Sequence, residues 1–175
     1  GPIDVAAYAS GMDPLLCLTK SDLADPETLV SIYRPLGVPY VVTQRGADVS
    51  EVRARLIGRT SVLVGHSGVG KSTLLLEVMA KASLSGVHCA YISGEEAVAQ
   101  IRGRADRMGF AQAPVKLAAE SSLRDILDGL KREKFDLVVI DSIQTLWSDA
   151  HEAGPGTVTQ VRACASELVR LAKKQ

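Results

Sequence analysis

The stretch Gly65-His66-Ser67-Gly68-Val69-Gly70-Lys71-Ser72-Thr73 constrains what this chain can fold into more than any other. It fits the pattern G-x-x-x-x-G-K-[ST], in which glycines let the backbone turn until successive N–H groups converge on an anion. An apolar run, Ser61-Val-Leu-Val64, precedes it, and Thr73-Leu-Leu-Leu-Glu-Val78 follows. A strand feeding a helix N-terminus through such a turn is a phosphate cradle, because loop amides and helix dipole both favour negative charge. A lysine in the first helical turn opposes that dipole unless an anion is present, so Lys71 argues against an accidental glycine-rich turn. Lys71 is expected on the outer phosphates of a nucleoside triphosphate, ATP or GTP, and Ser72 on a magnesium ion. Gly65, His66, Ser67, Gly68, Val69, Gly70 and Thr73 complete the cradle, His66 through its backbone rather than its ring.

Such a loop needs a parallel sheet around it, and the rest of the chain supplies the pattern. Apolar runs at 15–19, 39–43, 61–65, 89–93, 115–118 and 137–142 read as strands covered on both faces. Amphipathic stretches at 26–33, 49–56, 71–83, 95–108, 122–132 and 158–174 read as helices, with Asp25 and Asp48 as caps and Val161, Cys164, Ala165, Leu168 and Leu171 at helical spacing in the last. The glycine and proline content of residues 151–156 reads as a flexible loop. The expected fold is α/β, a three-layer α/β/α sandwich with a mostly parallel sheet, as one nucleotide-binding domain over residues 1–175.

A second acid for the metal should close another parallel strand, at the edge where open α/β sheets bind ligands. Phe135-Asp-Leu-Val-Val-Ile-Asp141 offers Asp141 in that place, the alternative being an acid that caps the following turn. Glu95, directly after Ala90-Tyr-Ile-Ser-Gly94, could orient an attacking water; Glu95 and Glu96 could equally be first-turn acids of the next helix. Arg102, Arg104 and Arg107 read as a solvated helix face, and Trp147 as packing rather than a stacking platform.

Composition narrows the classes. Twenty basic and twenty acidic residues cancel, so no global field draws the chain to nucleic acid or a membrane. Cys17, Cys89 and Cys164 form no C-x-x-C pair, which argues against a disulfide framework or a zinc site and for the reducing cytoplasm. No apolar run reaches membrane-spanning length and no charged-then-apolar leader opens the chain. Gly1-Pro2 reads as the scar of a protease-cleaved recombinant protein.

Two resemblances overlap at the phosphate loop. From about Ser61 onward, GKSTLLLEV, YISGEEAVAQIRGRADRMG, LAAESSLRDIL and DLVVIDSIQTLWS followed by GTVTQVRACASELVRLAKK resemble bacterial RadA/Sms, RecA-like ATPases of recombination and repair. That resemblance implies Lys71 and Ser72 on phosphate and magnesium, Glu95 as the water-positioning acid and Asp141 as the Walker B acid. The family's zinc finger, sensor strand, KNRFG motif and Lon-like domain are not in this sequence. From Val5 to about Thr73, AAYASGMDPLLCLTKSDLADPE, YRPLGVPYVVTQRGAD and GRTSVLVGHSGVGKST resemble the circularly permuted RsgA-like ribosome-assembly GTPases, whose guanine motif precedes the phosphate loop. Here that motif is Thr19-Lys20-Ser21-Asp22 in place of N-K-x-D, with Thr43, Gln44 and Arg45 at the second base-loop position; Lys20 and Asp22 are the implied base contacts. The plainer reading of Lys20 and Asp22 is a polar turn after a strand. The D-x-x-G motif is not matched, since Gln144 holds its fourth position, counted from Asp141.

The changeover near Thr73 to Leu74 reads as an engineered chimera, a GTPase-derived part joined to a RecA-like part, with strand 15–19 filling a gap beside the phosphate-loop strand. Three functions follow as expectations: magnesium-dependent nucleotide binding with slow hydrolysis at most, an active RecA-like repair ATPase on single-stranded DNA, or a fold-evolution protein that binds phosphate alone. Fast hydrolysis would need groups outside the motifs found, an arginine finger alone being worth about 10³ to 10⁵ in rate. Nucleic acid is not an expected partner without the family's DNA-binding loops. The motifs set no oligomeric state.

Overall fold

Cys-Ala-Tyr-Ile-Ser at 89–93 carries no solvent face, and the computed structural model places it at the centre of a sheet with all five residues buried. The structure describes residues 13–44, 46–57, 61 and 70–174. This strand, β3 (Cys89–Ser93), pairs in parallel with β4 (Lys116–Ala119) on one side and β5 (Leu137–Asp141) on the other. Tyr91 stands between Leu117 and Val139, and Ile92 between Ala118 and Ile140. Alternation then splits the core. Cys89, Tyr91, Leu137 and Val139 face one cluster, whereas Ile92 faces a second with Val138 and Ile140 at its margin.

Helices cover both faces, as expected of a three-layer sandwich. On the first lie α2 (Ser50–Leu56), α3 (Lys71–Leu84) and α4 (Val98–Arg107), contributing Val52, Leu56, Leu74, Leu76, Met79 and Ile101. On the second lie α5 (Leu123–Arg132) and α6 (Val158–Ala172), contributing Leu123, Ile126, Leu130 and Cys164. α3 is apolar nearly all round because it is wedged between sheet and α2. Its buried Glu77 is compensated by Lys81 one turn on, at 3.0 Å, and Lys81 also donates to the Ala47 carbonyl at 2.7 Å.

The N-terminal stretch forms its own parallel pair, β1 (Leu16–Leu18) with β2 (Tyr40–Val42), connected through α1 (Glu27–Tyr33) and a 3-10 turn at Arg34–Leu36. The N-caps are Pro26 and Val49 rather than the expected aspartates, which stand one residue earlier and still take a helix amide: Asp25 Oδ1 accepts from Glu27 N at 2.9 Å and Asp48 Oδ1 from Ser50 N at 3.0 Å. Val41, Val49, Val52 and Leu56 share a hydrophobic cluster with Leu74, Leu76 and Tyr91, so this stretch packs on α3. Among the described residues the partner of β1 is β2. The phosphate-loop strand expected at 61–65 lies outside them except for Ser61, and with it the expected place of β1 beside that strand.

Two expectations need correcting. The helix expected from Glu95 begins only at Val98, because Ser93 Oγ accepts from Glu95 N and Glu96 N at 3.2 and 3.0 Å and Gln100 reaches back to Ala97 N at 3.0 Å. The loop 151–156 is also pinned rather than loose. Gln160, 2% exposed, takes Ser148 N on its Oε1 and gives its Nε2 to the carbonyls of Ser148, His151 and Ala153 at 2.7–3.0 Å. No helix among the described residues is long and apolar enough to cross a membrane.

Candidate nucleotide site

Of the phosphate loop, Gly70, Lys71, Ser72 and Thr73 are described; Gly65, His66, Ser67, Gly68 and Val69 lie outside the described residues. Gly70 is the residue before α3 and has φ +88°, where other residues are strained. A Cβ there would meet nothing within 4 Å, so its requirement is conformational and not steric. α3 then opens with Lys71, Ser72 and Thr73, all half-buried.

β3 and β5 are parallel and end together, which brings Asp141, the last residue of β5, opposite Ser93. Asp141 is half-buried, and the hydroxyl of the fully buried Tyr91 donates to its Oδ2. The Ser72 side chain lies near the same phenol and acts on it electrostatically. Burial above all, then the bond to Asp141, holds the Tyr91 hydroxyl far above the ordinary tyrosine range, so it stays a neutral donor. Ser72 from α3 and Asp141 from β5, expected together on magnesium, thus converge on one phenol group. A hydroxyl and a carboxylate are hard oxygen donors that suit magnesium, an ion held through one or two carboxylates and substrate phosphates with waters of its own. No group of three or more His, Cys, Asp or Glu gathers as a dedicated cage among the described residues.

The other acids of this edge take distinct places. Glu95 is exposed, and its Oε1 accepts from Ser142 Oγ at 2.9 Å, bridging the ends of β3 and β5. Because α4 starts after it, Glu95 is not a first-turn acid. Glu96 pairs with Arg104. Arg104 therefore leaves the solvated face assigned to it: its side chain is 17% exposed, whereas Arg102 and Arg107 are exposed. The signal was present, since Ile101, fully buried, stands one helical turn before it. Glu120 follows β4 directly, its Oε1 taken by Ser121 N and Ser122 N, both at 2.8 Å.

Gly94 closes the edge. A Cβ on it would stand 2.0 Å from Thr145 Oγ1 and 2.8 Å from Thr145 Cβ, while its N–H donates to the Asp141 carbonyl at 3.2 Å. Only a residue without a side chain lets the turn Ile143–Thr145 lie so near β3. Trp147 is 41% exposed; its backbone N donates to Ser121 O and its O accepts from Leu123 N, tying the segment after β5 to α5.

The implied base motif sits at the end of β1. Lys20 has φ +60° in a turn closed by Leu23 N to Lys20 O at 2.9 Å, and both Lys20 and Asp22 are exposed. Ser21 donates to the Thr43 carbonyl and to Gln44 Oε1, so the two loops expected to flank a base are brought together; Arg45 lies outside the described residues. Sequence reading missed Tyr91, Ser93 and Gln160. Tyr91 had a legible signal, as a large side chain in the middle of a buried strand whose hydroxyl must find a partner.

Two family models match the chain: RsgA GTPase over residues 4–96 and the ATPase family associated with various cellular activities (AAA) over residues 61–174. The DNA repair protein RadA of Mycolicibacterium smegmatis is 47% identical over 178 residues, covering 99% of this chain and 38% of that protein. The protein of the same name from Brucella abortus is 40% identical over 179 residues, with 99% and 36% covered, and that of Bacillus subtilis 39% over 136 residues, with 77% and 30%. The chain thus spans about a third of the length of these relatives. None of the matches marks a seam at Thr73: the RsgA match runs on to residue 96, and two RadA relatives align with nearly the whole chain. The name of these relatives lends no support to the expectation that nucleic acid is excluded as a partner.

Proposed function

The chain belongs to the P-loop NTPases of the RsgA GTPase and AAA families, and from that premise we infer that it binds a nucleoside triphosphate with magnesium and hydrolyses it slowly at most. Gly65 to Thr73 cradle the phosphates, Lys71 reaches the outer ones, and Ser72 and Asp141 take the metal side. What supports this most is the convergence of Ser72 and Asp141 on the Tyr91 hydroxyl, since these residues lie far apart in sequence and serve no shared packing role. When bound, magnesium would neutralise phosphate charge; the chain's own part is to place a hydroxyl, a carboxylate and an ammonium around it.

The test is a titration of ATP and GTP with magnesium and with chelator present. Ser72→Ala and Asp141→Asn should abolish the gain in affinity that magnesium gives and spare the metal-free affinity. A magnesium gain that survives both substitutions would exclude these residues from the metal side.

Base choice belongs to the same reading: Lys20 and Asp22 prefer guanine if the turn they share with Thr43 and Gln44 holds a base. A second reading, a RadA-like repair ATPase, is favoured by the near-complete alignment with proteins of that name. Phosphate release stimulated by single-stranded DNA would establish it; release indifferent to DNA would reject it.

A further inference from the structure

Tyr91 is the part of this edge that neither phosphate binding nor packing explains. Its ring fills the core beside Leu76, Ile101 and Val139, a task phenylalanine would do without burying a hydroxyl. An unpartnered buried hydroxyl is costly, so a polar tip in a fully buried strand is tolerated when its partners use it. Here the hydrogen-bond partner is Asp141, with Ser72 of α3 close by and the cation of Arg104, held by Glu96, acting on the same phenol from α4. The bond joins β3 to the end of β5, and Ser72 belongs to α3, so one hydroxyl spans three elements.

We propose that Tyr91 is the positioning residue of the magnesium site, its hydroxyl holding Asp141 of β5 and Ser72 of α3 in mutual register. This rests on the nucleotide and magnesium reading given above. Tyr91 touches neither nucleotide nor metal; it takes Oδ2 of Asp141 and so fixes which way the carboxylate turns. Groups that orient metal ligands in this manner typically account for 10- to 100-fold in metal affinity.

The experiment uses the full chain, a fluorescent ATP analogue, and a series of free magnesium concentrations alongside a chelator control. In Tyr91→Phe the magnesium concentration for half-maximal binding should rise about 10- to 100-fold, while affinity in chelator stays that of the parent. A hydroxyl serving stability alone would lower the melting temperature and leave that midpoint in place, and this result would overturn the proposal. Tyr91→Phe keeps the ring, and a double-mutant cycle on affinity at saturating magnesium guards against indirect effects: added to Asp141→Asn, which already removes the magnesium gain, it should lower that affinity no further. Independent, additive losses would also overturn the role. Binding by the parent that ignores magnesium altogether would instead remove the underlying metal reading, and the role of Tyr91 with it.

Discussion

Gly94→Ala is the smallest change that should disturb the sheet edge, and its cost follows from the geometry. The added methyl carbon would overlap Thr145 Oγ1 at 2.0 Å and Thr145 Cβ at 2.8 Å. Gly94 does not have a left-handed φ, so the clash is steric and carries no backbone penalty of its own. Thr145 cannot simply rotate away: it is β-branched, and its Oγ1 donates to Ser142 O at 2.7 Å. The turn Ile143–Thr145 must withdraw from β3, loosening the 3.2 Å bond between Gly94 N and Asp141 O. Overpacking of this kind costs about 1–3 kcal/mol, or about 2–12 °C in melting temperature for a chain of this size. Thermal melts of Gly94→Ala with and without Thr145→Gly, each against its own parent, read the effect directly. Thr145→Gly removes both overlapping atoms and should cancel the loss, whereas Thr145→Ala keeps the Cβ at 2.8 Å and should cancel only part. A Gly94→Ala protein that melts with the parent, or a loss that persists beside Thr145→Gly, would refute this reasoning.

Three further outcomes can be checked with the same proteins and nucleotides. Asp22→Ala should weaken GTP about 10- to 100-fold, the worth of a charged hydrogen bond, and leave ATP unchanged; equal loss for both would refute the base contact. Glu95→Gln should lower any steady phosphate release by about 10²- to 10⁴-fold without changing nucleotide affinity, as for a lost water-orienting base, and undiminished release would exclude Glu95 from that role. Gln160→Ala should destabilise the chain by about 1–3 kcal/mol in thermal melts and open residues 148–153 to proteolysis, because one buried amide satisfies four backbone groups there; parental stability and protection would contradict it.

Local pattern carried most of the fold. Strands without polar alternation announced a sheet covered on both faces, and β3 was found at the expected residues because buried runs bounded by glycine leave little freedom. Asp25 and Asp48 were legible as acids that bind the first helix amides, one residue ahead of the caps themselves, since such bonds act within three residues. The departures arose where a side chain overrides local propensity. Ser93 Oγ accepts from the amides of Glu95 and Glu96 and delays α4 to Val98, so these two were misread as possible helix acids. Glycine and proline at 151–156 suggested looseness, but Gln160 lies beyond the loop and reaches back over it. In the site, Lys71, Ser72 and Asp141 could be named from motif spacing, whereas Tyr91 and the inward Arg104 depend on strand register and helix rotation, which no motif encodes.

The most direct measurement is calorimetric titration of ATP and GTP, with magnesium, into the parent protein and Lys71→Ala. The cradle requires the parent to bind at least one of them and the variant to lose most of that affinity, since the ammonium meets the outer phosphates. Equal affinity in the two proteins would contradict nucleotide binding at this loop.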